Sequence, residues 1–374
     1  MALGIDPGSV LRVSNEKEGR SLFGAQGVPP CRSHESNFIW DDNRVQRQTQ
    51  QASSVQFEKA WASVVASEKE GLSWSANGQP MSKPWDLILA DALHQLVPGS
   101  KGKIAIAVDN SLDEKKQDAL LSLCSRAHLL NVDLLWRPVA ITLDFLNQKR
   151  LEGLAQGSNV LVVDAESMTP EITLLDLRSR SGTLIPLRAP FREEQDPVVS
   201  DWRSFDASKD LARLLSNNDS IVEEGLANGI FSADFQRYRD GEDVPHTWVK
   251  DGPRYRAHHF SRSLEELCAG SVDDLVAEAK QRAEDLGVTV ILWHGWPFRY
   301  RADLNAGNSI PMPANSVARG ARVYAERIEN GLPTYLESVP SASSHYNIRI
   351  EGFQLMTRVF NGKLPIDTPL PLVA

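Results

Sequence analysis

Three cysteines in 374 residues are too few and too scattered for a disulfide framework. Cys31, Cys124 and Cys268 lie far apart, and no C-x-x-C pair suggests a structural zinc site. They read as buried thiols. Long hydrophobic runs are also missing. No apolar stretch approaches the roughly 20 residues that a membrane-spanning helix needs, and Met1 to Gly8 lacks the basic-then-apolar pattern of a secretory leader. A cytoplasmic address and no membrane partner are therefore expected. Basic charge is short as well: 40 Lys and Arg face 49 Asp and Glu, a formal net charge of -9. Sequence-independent nucleic-acid binding relies on clustered cations that neutralise phosphates, so no nucleic-acid partner is expected. What is present is an ordinary globular balance, 41% hydrophobic and 24% charged, which excludes a collagen-like or wholly disordered chain. The length suits two to three domains at about 150 residues each. Tryptophan outnumbers tyrosine, nine to six, and most of these indoles are expected in the core.

Along the chain, residues 3–13 read as a β-hairpin whose Pro-Gly tip carries Asp6 and Ser9. Residues 15–51 are polar and read as irregular with a few short strands. Phe57, Trp61, Val64 and Val65 recur at helical spacing and predict a helix over 54–69, with a second from Pro84 to about 96. Strands over 103–108 and 132–136 then alternate with helices over 112–128 and from Pro138 to about 150, which implies parallel pairing. The unbroken run Val160-Leu161-Val162-Val163 marks a buried strand over 159–164 that ends in Asp164. Strands over 171–178 and 182–190 continue it as an antiparallel meander. Further helices are expected near 207–215, 219–227, 263–267, 271–286 and 316–331. Strands are expected over 254–259 and 288–293, and Pro-punctuated strands from 332 onward. Two halves of related order emerge, each opening with strands and a tight turn and finishing with strand–helix alternation.

Five stretches carry residues with chemical potential. The first is Gly4-Ile5-Asp6-Pro7-Gly8-Ser9, where glycine lets backbone N–H groups approach phosphate oxygens, a hydroxyl adds a donor and an aspartate can hold hydrated magnesium. The second is Ile104-Ala105-Ile106-Ala107-Val108 with Asn131-Val132-Asp133-Leu134-Leu135-Trp136-Arg137-Pro138-Val139-Ala140. The third is Val160-Leu161-Val162-Val163-Asp164-Ala165-Glu166-Ser167-Met168-Thr169-Pro170-Glu171. The fourth is Val290-Ile291-Leu292-Trp293-His294-Gly295-Trp296-Pro297-Phe298-Arg299. The fifth is Asn315-Ser316-Val317-Ala318-Arg319-Gly320-Ala321-Arg322-Val323-Tyr324-Ala325, whose small residues allow close helix packing.

In this order and spacing, along most of residues 1–340, the five resemble the actin-like ATPase superfamily, and most closely the nucleotide-binding region of DnaK-type heat-shock chaperones. The resemblance implies an α/β, two-lobed actin-like ATPase fold of duplicated ribonuclease-H-like βββαβα lobes around a cleft. The first lobe would span residues 1–152, the second 153–312, an inter-lobe crossing helix 313–331 and a β-rich tail 332–374. It further implies ATP or ADP with magnesium as cofactor. Gly4, Gly8, Ser9, Arg137, Ser167, Thr169, His294, Gly295 and Trp296 would lie on the nucleotide, and Asp6, Asp164 and Glu171 would serve catalysis and hold magnesium through water.

The departures from the family pattern are as informative. Where the family has a glutamate that orders water near the terminal phosphate, this chain has Arg137, which cannot accept a proton but can contact a phosphate directly. The family's three glycines in the second phosphate loop are replaced by Glu166-Ser167-Met168, and Glu166 adds a negative charge beside an anionic ligand, so either the loop has moved outward or nucleotide binds weakly. Trp296 either stacks on adenine or fills its pocket. No lysine of the first lobe matches the family's catalytic one, and no complete peptide-binding region fits after Gly331. His258 and His259 are adjacent on an expected strand and would face opposite sides.

The expected function is therefore a DnaK-like nucleotide-binding-domain protein with a degenerate ATP site. It would act as a regulatory or protein-interaction module with a protein partner and weak or no ATP hydrolysis, and with no cofactor if the site is fully degenerate. The alternative is an active chaperone-like or filament-forming ATPase. A sugar or acetate kinase of the same superfamily is disfavoured by the pattern around residues 131–138 and 316–325.

Overall fold

The computed structural model describes residues 2–7, 12–15, 32–34, 37–39, 61, 63–67, 71–76, 79–96, 102–110, 112–148, 154–166, 170–188, 247–249, 254–256 and 272–337. Within them the chain is mixed α/β, with two principal sheets and five α-helices among the described residues. In chain order the elements open with β1 (Leu3–Asp6), β2 (Arg12–Asn15), β3 (Arg32–His34), β4 (Asn37–Ile39), β5 (Leu72–Ala76), β6 (Gln79–Lys83) and α1 (Trp85–Leu96). Then follow β7 (Ile104–Val108), α2 (Glu114–Arg126), β8 (Val132–Trp136), α3 (Arg137–Asn147), β9 (Asn159–Asp164), β10 (Glu171–Arg180) and β11 (Thr183–Arg188). The chain closes with β12 (Thr247–Val249), β13 (Arg254–Arg256), α4 (Asp273–Asp285), β14 (Val290–His294), a 3-10 turn (Trp296–Tyr300), β15 (Ser309–Pro311), α5 (Ser316–Glu329) and β16 (Leu336–Glu337).

The first sheet has the order β2-β1-β7-β8 and the second β15-β14-β9-β10-β11-β16. Both repeat one plan. β1 pairs antiparallel with β2 and parallel with β7, which pairs parallel with β8. β9 likewise pairs antiparallel with β10 and parallel with β14, which pairs parallel with β15. The related order read from the sequence is thus present in strand sense as well as in sequence.

Strand alternation sends side chains to opposite faces, and both faces are buried here. On the first sheet Leu3, Ile5, Ile104, Ile106 and Val108 face α1 and α2, meeting Ile88, Leu89, Leu93, Leu120 and Leu123. The opposite face is built of Gly4, Ala105 and Ala107, and their small size lets α5 lie against the strands. A Cβ on Gly4 would stand 2.0 Å from the Ala318 carbonyl oxygen of α5. On the second sheet Val160, Val162, Leu175, Leu177, Val290 and Leu292 face α3 and α5. Leu161, Val163, Ile172 and Trp293 face outward to Leu275, Val276 and Ala279 of α4. Each large side chain so buried contributes about 1.5–3 kcal/mol.

α3 and α5 form the layer between the sheets, and each leaves one sheet to pack on the other. α3 follows β8 of the first sheet and packs on β9 and β11 of the second; α5 follows β15 of the second and packs on β1, β2 and β7 of the first. The two helices touch backbone to backbone at Gly320, where a Cβ would meet the Ala140 carbonyl oxygen at 1.7 Å. Arg319 Nη2 donates to Asp144 Oδ2 at 2.7 Å beside that crossing.

Several expectations are adjusted. The strand over 288–293 runs instead as Val290–His294, because its pairing with β9 begins only at Val290 and carries through to Asp164. The β5–β6 hairpin and β15 were not expected, although Leu72-Ser73-Trp74-Ser75-Ala76 alternates as a strand does; the three-residue β15 exists because it pairs with β14. Of the expected helix over 54–69, residues 61 and 63–65 are helical. The helices expected near 207–215, 219–227 and 263–267, the pair His258 and His259, Cys31, Cys268 and the tail from 338 lie outside the described residues. Cys124 is a buried free thiol, and burial pushes its pKa up to about 12. Among the described residues no helix is long and apolar enough to cross a membrane.

Candidate functional site

Parallel strands end on one side of a sheet, and crevices beyond those carboxyl ends are where α/β sheets present functional groups. Register decides which residues meet there. β14 and β10 flank β9 so that His294 and Glu171 both stand opposite Asp164. In the first sheet Asp6 ends β1, Asp109 and Asn110 follow β7, and Arg137 follows β8. Both sets converge on one buried point.

Arg137 is at its centre, only 1% exposed. Its Nη1 donates to Asp6 Oδ1. Its Nε donates to Asp164 Oδ2 at 2.7 Å, and Nη2 approaches Asp164 Oδ1 at 3.5 Å. Asp109 Oδ1 stands 3.7 Å from Nε. One guanidinium therefore joins carboxylates from both sheets, using the planar fork that suits it to this task better than lysine. The local backbone places it: Pro138 fixes the first turn of α3, and Arg137 is the residue just before it.

The second sheet completes the network. His294 Nδ1 lies 2.9 Å from Asp164 Oδ1 and its Nε2 lies 3.4 Å from the Ala314 carbonyl oxygen. The Glu166 backbone N–H donates to Asp164 Oδ1 at 2.9 Å, while the Glu166 carboxylate accepts from the Trp296 backbone N–H at 3.0 Å. Glu171 Oε1 accepts from the Asn110 backbone N–H at 2.9 Å. The Asn110 side chain reaches Thr173 Oγ1 at 2.8 Å and accepts from Arg188 Nε at 2.8 Å, and that guanidinium lies 4.1 Å from the centre of the Trp136 ring. Asn110 is a second tie between the two sheets.

Electrostatics divide these groups. Burial opposes the charge on Arg137, but Asp164, Asp6 and Asp109 outweigh it and hold the guanidinium well above its ordinary value. Burial likewise works against ionised Asp164, and the charges of Arg137 and His294 overcome it, so its pKa falls. Burial works against protonated His294 too, and Asp164 and Glu166 reverse that effect and raise its pKa. For Glu171 burial and the nearby Asp109 and Asp164 act together and push the pKa well up. Its Oε2 has no hydrogen-bond partner among the described residues.

Of the residues named from the sequence, the structure brings together Asp6, Arg137, Asp164, Glu171 and His294. Gly4 lies on β1 against α5 and serves packing. Gly295, at φ 127°, has a backbone that L side chains rarely adopt, and a Cβ there would meet the Ala165 Cβ at 3.1 Å. Ala165 and Glu166, which follow β9, are thus packed against Gly295. Trp296 is fully buried beside Trp293 and Phe298 in the core under α4. Gly8, Ser9, Ser167 and Thr169 lie outside the described residues.

Asp109, Asn110, Glu166 as a ligand of its own chain, and Arg188 were missed. Position at the end of a buried parallel strand marked Asp109 and Asn110, whereas nothing local marked Arg188. Hydrated magnesium on a nucleotide is a poor fit to this donor set, because Asp6 and Asp164 already bond Arg137, and burial beside Asp109 and Asp164 works against charge on Glu171. Among the described residues no group of three or more His, Cys, Asp or Glu is arranged to hold a metal ion. Comparison of the chain with protein-family models and with curated proteins finds no match.

Proposed function

We propose that the chain is a DnaK-like nucleotide-binding-domain protein of the two-lobed actin-like fold whose ATP site is degenerate. In this reading it is a regulatory or protein-interaction module with little or no ATP hydrolysis. The lobes are residues 1–152 and 153–312, joined by the crossing helix 313–331. Support for the ancestry comes from the five ordered stretches, from the strand plan repeated in the two sheets and from the reciprocal packing of α3 and α5. One observation carries the loss of chemistry. The Arg137 guanidinium sits among Asp6, Asp109 and Asp164, at the strand ends where phosphoryl transfer would require carboxylates free to hold a metal's waters. Arginine does not deprotonate in a protein, so it supplies neither a general base nor a metal ligand.

A phosphate-release assay with Mg-ATP tests the reading. The expected result is no release above that of a heat-inactivated control. Robust magnesium-dependent turnover that disappears in both Asp6→Ala and Asp164→Ala would refute it.

A further inference from the structure

A buried cluster of like charges needs a counter-ion, and in nucleotide sites that counter-ion is a metal drawn from solution. Here the positive charge is part of the chain. Arg137 meets Asp6 at the end of the first sheet and Asp164 at the end of the second, with both carboxylates and the guanidinium almost wholly buried. A negative charge is resident as well. The Glu166 carboxylate accepts from the Trp296 N–H at the start of the 3-10 turn, beside Gly295. Cation and anion are thus both supplied internally, one residue from the strand that each follows or two residues beyond it.

We propose that Arg137 is a resident counter-ion that takes the place of a metal, so that the two sheets stay clamped at their strand ends independently of any ligand. Two features make the clamp an interlock and not a chance contact. Asn110 bridges the same two sheets through Glu171 and Thr173, and His294 holds the far side of Asp164. The inference rests on the reading above that these strand ends descend from a metal–nucleotide site, and the experiment separates the two.

The variant is Arg137→Met, which keeps an apolar stem and removes the charge, leaving Asp6, Asp109 and Asp164 without their cation. Thermal unfolding is followed by tryptophan emission in 10 mM magnesium or calcium chloride and in sodium chloride of equal ionic strength. The wild-type Tm is expected to be the same in all three salts. Arg137→Met is expected to melt on the order of 10 °C lower in sodium chloride and to regain several degrees in the divalent salts, because the exposed carboxylates accept a hard cation. Adding Asp6→Asn to Arg137→Met should also raise the Tm by lessening the uncompensated charge. If Arg137→Met does not fold, the double variant decides alone: recovery of folded protein supports the clamp, and no recovery overturns it. The proposal is overturned if divalent ions give Arg137→Met nothing beyond sodium and Asp6→Asn leaves it no more stable. Tight binding of Mg-ATP by the wild type would instead refute the degenerate-site reading, whatever the variants do.

Discussion

Two kinds of contact join the sheets, and they use opposite physics. Through α5 the backbones touch at small residues, Gly320 against Ala140 of α3 and Gly4 of β1 against Ala318, in a largely apolar layer. At the strand ends the sheets meet through charge, Arg137 against Asp6 and Asp164. The first contact tolerates almost no added volume, while the second tolerates no loss of its buried cation.

The comparison is broken most severely at Gly320. Gly320→Val would place a Cβ within 1.7 Å of the Ala140 carbonyl oxygen, which only backbone separation relieves; a loss above about 4 kcal/mol is expected, read as absence of soluble folded protein on expression. Arg137→Met comes next, at about 3–5 kcal/mol, because it leaves buried carboxylates uncompensated, and denaturant unfolding measures it. Asn110→Ala removes two side-chain hydrogen bonds and leaves Thr173 and Arg188 to find others. It should cost about 1–3 kcal/mol by the same measurement.

The smallest effect is in pH dependence. Glu171 and His294 have raised pKa values in the folded chain, so each contributes stability that fades as pH climbs beyond its ordinary value, 4.5 and 6.5 respectively. Asp164, with a lowered pKa, contributes stability that is complete above its ordinary 3.8 and is lost below it. The cluster therefore favours mildly acid pH, and Tm should fall as pH is raised from 5 to 9. Glu171→Gln, neutral throughout and still able to accept from Asn110, should flatten that slope. An unchanged slope would place the titration elsewhere.

Much of the fold was legible because buried parallel strands advertise themselves. β8 and β9 fall where their apolar runs placed them, and Pro138 set the start of α3. Short strands such as β15 were not legible, since three residues carry no period and the pairing that creates them is tertiary. The site was half legible. Asp6, Asp164 and Glu171 could be named from loop patterns, but their shared partner could not be: Arg137 is 131 residues from Asp6, and sequence alone suggested that it would meet a phosphate. Glu166 likewise read as a charge repelling a ligand, and the structure turns it onto the Trp296 N–H, because the turn at Gly295 leaves that donor facing it.

The proposed resident counter-ion, Arg137 among Asp6, Asp109 and Asp164, leaves no place for metal-bound nucleotide at the strand ends. Isothermal titration calorimetry of the wild-type protein with Mg-ATP tests it most directly. The account predicts no saturable heat up to millimolar nucleotide. A saturable isotherm with a micromolar Kd, abolished by Asp6→Asn, would contradict it.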